Sequence, residues 1–510
     1  MTAAADLILT NAEIHTLTDP DETKEALAVR DGEITRVDSV YEIGFLSGVN
    51  TEIIDLDSRV LLPGFIDAHT HMEELGKRLV HADLSGAHSA AEAVSILTEH
   101  TDETDREWIV GYGYDESDWD ESRYLTRTDL DTASTERPVV AFREDMHTAG
   151  VNSVVLDELS ERMPDEYVER ENGEPTGVIT EDALGPIREA TAADPDETRE
   201  LLLAAQRHAN ELGITGIHDM VRRSHAPRAY RDLDLAGNLT LRVRINYWSD
   251  HREALRETGL RTNHGSEFVQ TGAIKSFSDG SFGGRTAKLS EPYADESETT
   301  GQWVVSPTEL RDLVQQADDA GFQMTTHAIG DAAIDEVIGT YEEADAGEAR
   351  HRIEHAELPT ESAIEHLTDS GIIASVQPNF LKWAHEGGLY DSRLGSERRK
   401  RSNPFRTLLD AGVHLAFGSD CMPLDPLFGI HQAVNAPVET QRLSVTEALR
   451  AYTHGAAYAG FDERRFGTIE AGKKADFVVI DRSPWEHAEA IENIDVAMTV
   501  VDGKIVHDAR

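Results

Sequence analysis

From about residue 195 to residue 463 the chain repeats one pattern: a helical stretch halts at a glycine, a short apolar run follows, and the run ends on a polar residue. The clearest example opens at Ser306-Pro307-Thr308-Glu309, which supplies an N-cap, a first-turn proline and a capping-box glutamate. A helix is predicted to start there and to stop near Gly321, with a strand over Phe322 to His327 and a new helix from around Asp331. Gly371 precedes Ile372 to Val376, Asn403-Pro404 opens a helix that ends near Gly412 before Val413 to Phe417, and Gly213 precedes Ile214 to Ile217. Strands alternating with helices in this way build a parallel sheet. The recurrence favours a (β/α)₈ barrel over a doubly wound open sheet.

The ends of the chain behave differently. Residues 1–60 alternate apolar and polar positions over Asp6 to Ile14, Ala26 to Val37 and Thr51 to Leu56, with a hairpin turn at Asp31-Gly32. Residues 464–510 do the same, with a strand over Asp476 to Asp481 and a turn at Asp502-Gly503. Both ends read as antiparallel β structure and are expected to form one small β-sandwich flanking a barrel of residues 61–463. Within that barrel, residues 73–195 mix a helical stretch (Ala90 to His100), strand-like runs (Trp108 to Val110, Pro138 to Phe142) and a turn at Asn172-Gly173. No low-complexity run interrupts them, so they are read as an inserted, folded cap subdomain. The expected class is therefore α/β: a distorted TIM-type barrel with a terminal sandwich and an inserted cap.

Charge restricts where such a chain works. Lys and Arg number 47 against 96 Asp and Glu, a net charge of −49, and only nine of the cations are lysine. Self-repulsion on that scale is tolerated where salt screens it, so a halophilic cytosol is expected. Folding and activity should then fall as salt is withdrawn, and full stability in dilute buffer would refute this. Nucleic acid is disfavoured as a partner by the same charge. The lone cysteine, Cys421, excludes an internal disulfide and fits a reducing compartment. Met1 to Thr10 lacks a basic region, so it reads as no secretion signal, and no apolar run is long enough for a membrane span. A cytoplasmic protein is expected.

The chemistry-bearing residues sit where the predicted strands end. Pro63-Gly64-Phe65-Ile66-Asp67-Ala68-His69-Thr70-His71 is an apolar strand running into two histidines spaced i, i+2, which a strand turns to one side. Lys275 ends the run Ala273-Ile274-Lys275, His327 ends Met324-Thr325-Thr326-His327, His355 ends Arg352-Ile353-Glu354-His355, and Asp420 ends Leu415 to Asp420. Taken singly, each has a plainer explanation, such as a salt-bridged Lys275 or a helix-capping Asp420. In a barrel, however, strand carboxyl ends converge on one face, and four histidines, a lysine and an aspartate delivered there point to a metal centre.

With these motifs in place the chain resembles the amidohydrolase superfamily, and within it the amidohydrolase 3 group that includes YtcJ-like proteins and N-substituted formamide deformylase. The resemblance also takes in Gly213 to Asp219, Asp279-Gly280-Ser281, His327 to Asp331, Gly418-Ser419-Asp420 and Gly472 to Phe477. It implies that His69, His71 and Asp420 hold one divalent ion and that His327 and His355 hold another. Lys275 would bridge them as a carbamate, since an ammonium has no lone pair for a cation. Zinc is the default ion for such ligands. A metal-activated hydroxide would attack an amide carbonyl, with Asp420 as general base and then acid toward the departing nitrogen.

The expected function is hydrolysis of carbon–nitrogen bonds in small N-substituted amides. Cyclic amide opening or ring deamination by the same metals is the alternative, and a non-catalytic metal-binding regulatory protein a third. In the predicted cap, Gly111 to Trp119 and Phe142 to His147 resemble group motifs at the active site, which makes His147 and Trp119 the candidate substrate contacts. Trp119, Tyr112 and Tyr114 also read as packing residues. Cys421 reads as a small buried filler and His218 as a supporting group rather than a ligand. The partner is a small-molecule amide, without nucleic acid or membrane; the sequence offers no readable oligomer interface.

Overall fold

In a computed structural model that describes residues 4–344 and 349–510, the repeated pattern of the central chain becomes eight parallel strands. Residues 1–3, the start of the stretch read as lacking a secretion signal, lie outside the described residues. The strands are β1 (Phe65–Thr70), β2 (Ile214–Val221), β3 (Arg242–Trp248), β4 (Val269–Phe277), β5 (Met324–Ala328), β6 (Arg352–His355), β7 (Ile373–Val376) and β8 (Leu415–Phe417). They pair in chain order from β1 to β8, all parallel. The sheet nearly closes on itself, because the Asp420 amide just past β8 donates to the His69 carbonyl of β1 at 2.8 Å. This is the TIM-type barrel that the alternation of elements predicted.

The local signals act as read. Ser306 and Glu309 exchange both bonds of a capping box and start the helix Pro307–Asp319. Gly321, at φ +76°, turns the chain toward β5. Gly213 combines φ +79° with a close approach: a Cβ there would fall 2.4 Å from Val478 Cγ2. The strand that the sequence did not reveal is β3. Every second residue, Arg242, Arg244 and Asn246, is polar yet buried, so it lacks the continuous apolar run of a barrel strand.

The two ends of the chain build two sheets around one apolar cluster that includes Leu9, Leu27, Val29, Phe477, Val479, Met498 and Val500. One sheet runs in the order 33–38, 26–30, 7–10, 52–55; the other runs 504–508, 496–501, 477–480, 60–63, 13–15, 23–24. Both predicted hairpins form, with Asp31 and Gly32 at φ +52° and +75° and Asp502 and Gly503 at +51° and +73°, the paired left-handed residues of a type I′ turn. The expectation of purely antiparallel pairing is corrected at two places: Leu7–Thr10 runs parallel to Glu52–Asp55, and Glu13–His15 runs parallel to Val60–Pro63. The chain leaves and re-enters these sheets through long connections, so hairpin geometry does not govern those pairs.

Residues 72–205 form a compact unit of their own, with a mixed six-stranded sheet in the order 168–171, 174–180, 148–151, 139–143, 109–114, 82–83. Apolar clusters containing Val140, Phe142, Ile179 and Leu184, and Leu97, Leu125, Leu130 and Trp119, make up its core. One uninterrupted helix, Pro195–Glu211, carries the chain onward from this unit.

Candidate metal centre

β1 is buried along its whole length and delivers His69, with His71 one residue past its end on the same side. The imidazole Nε2 atoms of His69 and His71 stand 3.6 and 3.2 Å from the same Asp420 carboxylate oxygen, Oδ1. Donor atoms of all three residues lie within 4.8 Å of one another, as a shared cation requires. Asp420 reaches this position from a left-handed backbone at φ +56°, and His355 sits at φ +76°. Such conformations are costly for residues with a Cβ and persist where the surroundings impose them, commonly at functional sites.

The other candidate ligands gather beside this trio. The His355 ring centroid is 5.1 Å from that of His69 and 4.5 Å from that of His327. The Nε2–H of His327 donates to the Gly280 carbonyl at 3.0 Å, which leaves Nδ1 with the lone pair. Lys275, on β4, is fully buried, with its Nζ 5.1 Å from the Phe277 ring. All six residues expected at the centre are thus delivered by the carboxyl ends of β1, β4, β5, β6 and β8.

Two buried atoms here, Lys275 Nζ and His355 Nδ1, have no hydrogen-bond partner. An unsatisfied buried polar group costs about 1–3 kcal/mol, so their presence among lone-pair donors fits a site built for a cationic ligand. The electrostatics agree. Burial lowers His69, brings His327 down to about 3 and holds His355 well below the ordinary imidazole value, so these rings are neutral and ligand-ready at pH 7. Burial brings Lys275 down to about 8. Burial alone would raise Asp420, but its coupling to His69 and the hydrogen bond from His71, whose own pKa is raised in turn, outweigh it and keep the carboxylate ionised.

Several residues given no role in the sequence reading support this geometry. Asp67 Oδ1 accepts from the amides of His69 and Ser419, at 3.0 Å each, and so pins β1 to the end of β8. Asp279 accepts from the amides of Lys288, Ile329 and Gly330, which fixes the loop that carries the Gly280 carbonyl. Glu354 lies 2.6 Å from His69 Nδ1. Glu354 and Arg352 were visible inside the motif that ends at His355, but their partners are 285 and 134 residues distant in sequence, beyond any local pattern.

Both proposed substrate contacts belong to the 72–205 unit. Trp119 is buried in the core of the inserted unit and donates its indole N–H to the Ala87 carbonyl at 2.8 Å, as the packing role also read for it requires. His147 has a side chain 66% exposed, with Nδ1 3.1 Å from Glu181. Cys421 is buried and accepts from the His71 amide through Sγ at 3.3 Å, the filler role expected of it. His218 Nδ1 is occupied by Arg352 at 2.8 Å, in keeping with a supporting role.

Comparison with known proteins places this geometry in a family. The Amidohydrolase family model matches residues 52–507. The putative amidohydrolase YtcJ of Bacillus subtilis is 31% identical over 97% of this chain and 98% of its own. The N-substituted formamide deformylase of Arthrobacter pascens is 26% identical over 100% and 99%. Among solved structures, an uncharacterized metal-dependent hydrolase from Pyrococcus furiosus superposes with a TM-score of 0.82 at 30% identity, covering 94% of this chain and 99% of that one. With a parallel barrel, ligand-type side chains at its strand ends and a family match over most of its length, the chain belongs to the amidohydrolase family and is a hydrolase of carbon–nitrogen bonds.

Proposed function

We propose that the chain hydrolyses small N-substituted amides at a two-ion centre, in which His69, His71 and Asp420 hold one divalent ion, His327 and His355 hold the other, and Lys275 bridges them. The observation that carries this reading is the His69–His71–Asp420 trio with the His355 and His327 rings beside it and two buried, unpartnered nitrogens, on Lys275 and His355. Zinc suits imidazole and carboxylate donors. When bound, the ions supply Lewis acidity and acidify water.

The chain's own residues do the rest. Asp420, ionised and 18% exposed at its side chain, is placed to take a proton from the attacking water and return it to the departing nitrogen, so that the amide yields an acid and an amine. Lys275 serves as a bridge once its neutral amine adds carbon dioxide: a nitrogen–carbon bond forms, a proton leaves, and an anionic carbamate remains. Burial favours the neutral amine needed for this addition. An apolar nitrogen substituent is supported by the rings beside the ligands, with Phe277 stacked on His327 at 4.4 Å and Phe380 parallel to His355 at 5.9 Å. The Arthrobacter deformylase, by its name, acts on substrates of this kind.

The test is release of amine from a panel of N-formyl, N-acetyl and cyclic amides by metal-loaded protein in molar salt, with a chelated sample alongside. Turnover on acyclic amides that vanishes on chelation is expected. Ammonia from ring substrates alone would move the assignment to deamination, and no turnover anywhere would contradict it.

A further inference from the structure

Beneath the candidate ligands lies a buried polar network. Arg352, at the start of β6, is 1% exposed and spends its donors on four strands, its own included. Its Nη2 donates to the Ala68 carbonyl of β1 at 2.6 Å and to Ser375 Oγ of β7 at 2.9 Å, and its Nη1 donates to His218 Nδ1 of β2 at 2.8 Å. Its Nε donates to Glu354 Oε1 at 2.9 Å, and the same oxygen accepts from the Thr325 hydroxyl of β5. Glu354 is thereby held on one oxygen from two directions, and its other oxygen, Oε2, stands 2.6 Å from His69 Nδ1. A carboxylate fixed in this way leaves His69 one arrangement, with the proton on Nδ1 and the Nε2 lone pair turned toward Asp420 and His71.

The two candidate ion positions are not supported alike. At the first, the ligand His69 is backed by an ionised carboxylate that is itself locked by an arginine. At the second, the non-ligand nitrogen of His327 donates to the Gly280 carbonyl at 3.0 Å, with the Asp279 carboxylate standing off at 3.7 Å, and His355 Nδ1 has no partner. Correspondingly, His69, His71 and Asp420 are the trio whose donor atoms already lie within mutual reach among the described residues.

We infer that Glu354, aimed by Arg352, is a positioning residue that makes the His69–His71–Asp420 position the tighter of the two, so that the centre loads its ions in order. This rests on the two-ion reading above. Removing a carboxylate that orients a metal-bound histidine weakens metal binding about 10- to 100-fold, and here the loss falls on the first ion. Arg352 contributes through Glu354; its own hydrogen bonds go to Glu354, His218, Ala68 and Ser375.

Zinc titration of metal-free protein against a competing fluorescent chelator, in molar salt, reads both binding steps without any turnover. Wild type is expected to show a tight and a weaker step, Glu354→Gln to lose about 10- to 100-fold in the tight step alone, and His327→Gln to lose the weaker step. Glu354→Gln strands a buried guanidinium, so a second variant, Arg352→Met with Glu354→Gln, removes both charges. Its metal-free melting temperature should recover above that of Glu354→Gln while the tight step stays weak, a separation that a purely structural role does not produce. Zinc binding in which Glu354→Gln leaves the tight step unchanged, or weakens both steps equally, overturns the positioning role alone. Wild type that binds no zinc overturns the two-ion reading as well.

Discussion

The two ends of the barrel treat buried charge in opposite ways. At the amino ends of the strands the arginines are fully matched: Arg242 reaches Asp476 at 2.9 Å and Asp502 at 3.2 Å, and Arg244 reaches Asp462, Asn263 and Gln270 at 2.7–2.8 Å. At the carboxyl ends, Lys275 and His355 keep atoms without partners, and Asp67 has a second oxygen with none. Both ends are buried and both are polar. The difference teaches that buried polarity does not by itself mark a site; unmatched atoms gathered among ligand-type side chains do, whereas a lone one such as His351 Nε2, just before β6, does not. One end has spent its hydrogen bonds on stability, and the other holds them for a ligand.

The largest expected effect would break that contrast at the reactive end. Asp420→Asn should keep its metal content by elemental analysis and lose about 10²- to 10⁴-fold in kcat. Near-normal rates would remove Asp420 from proton transfer. At the other end, Asp476→Ala leaves Arg242 buried and unpaired, so chemical denaturation should report a loss of about 3–5 kcal/mol. The kcat per folded molecule should not change. A fall in kcat comparable to that of the Asp420 variant would mean that the two ends are not functionally distinct.

Smaller effects sharpen the comparison. Lys275→Met replaces an unmatched buried amine by an apolar group of similar length, and the metal-free protein should gain about 1–3 kcal/mol while activity is lost. A destabilised metal-free protein would show that Lys275 is satisfied structurally. The mildest test lies in the terminal sandwich, where matched charge titrates. His15 bridges Asp21 at 2.6 Å and Glu13 at 2.9 Å and stacks on Trp485. Burial opposes its charging, but the two carboxylates outweigh burial and raise its pKa. Because the folded value lies above the unfolded one, this stabilisation is complete below about pH 6.5 and is lost as pH rises through the folded value. His15→Gln should flatten that limb of the stability profile, and an unchanged slope would exclude the bridge as its cause.

How much of this was legible depended on how local each signal is. The capping box at Ser306 and Glu309, the left-handed Gly321 and Gly371 and the hairpin pairs at 31–32 and 502–503 are contained within a few residues, and each appears where read. The six candidate ligands were legible because each closes an apolar run, and the barrel brings run ends together. β3 was hidden because Arg242, Arg244 and Asn246 are buried by partners far along the chain, and periodicity sees only apolar burial. Glu354 stood in view inside a motif, but its role was not legible because its partner His69 lies 285 residues away in sequence. Trp119 carried two readings because an aromatic residue in a motif looks alike whether it packs or binds, and its burial and its bond to Ala87 support packing.

The most direct test of the central claim is to follow amine release from an N-formyl amide while zinc is returned stepwise to chelated protein in molar salt. The account predicts no turnover without metal and a rise that saturates as the centre of His69, His71, Lys275, His327, His355 and Asp420 fills. Turnover that survives chelation, or a fully loaded protein that releases no amine, would contradict it.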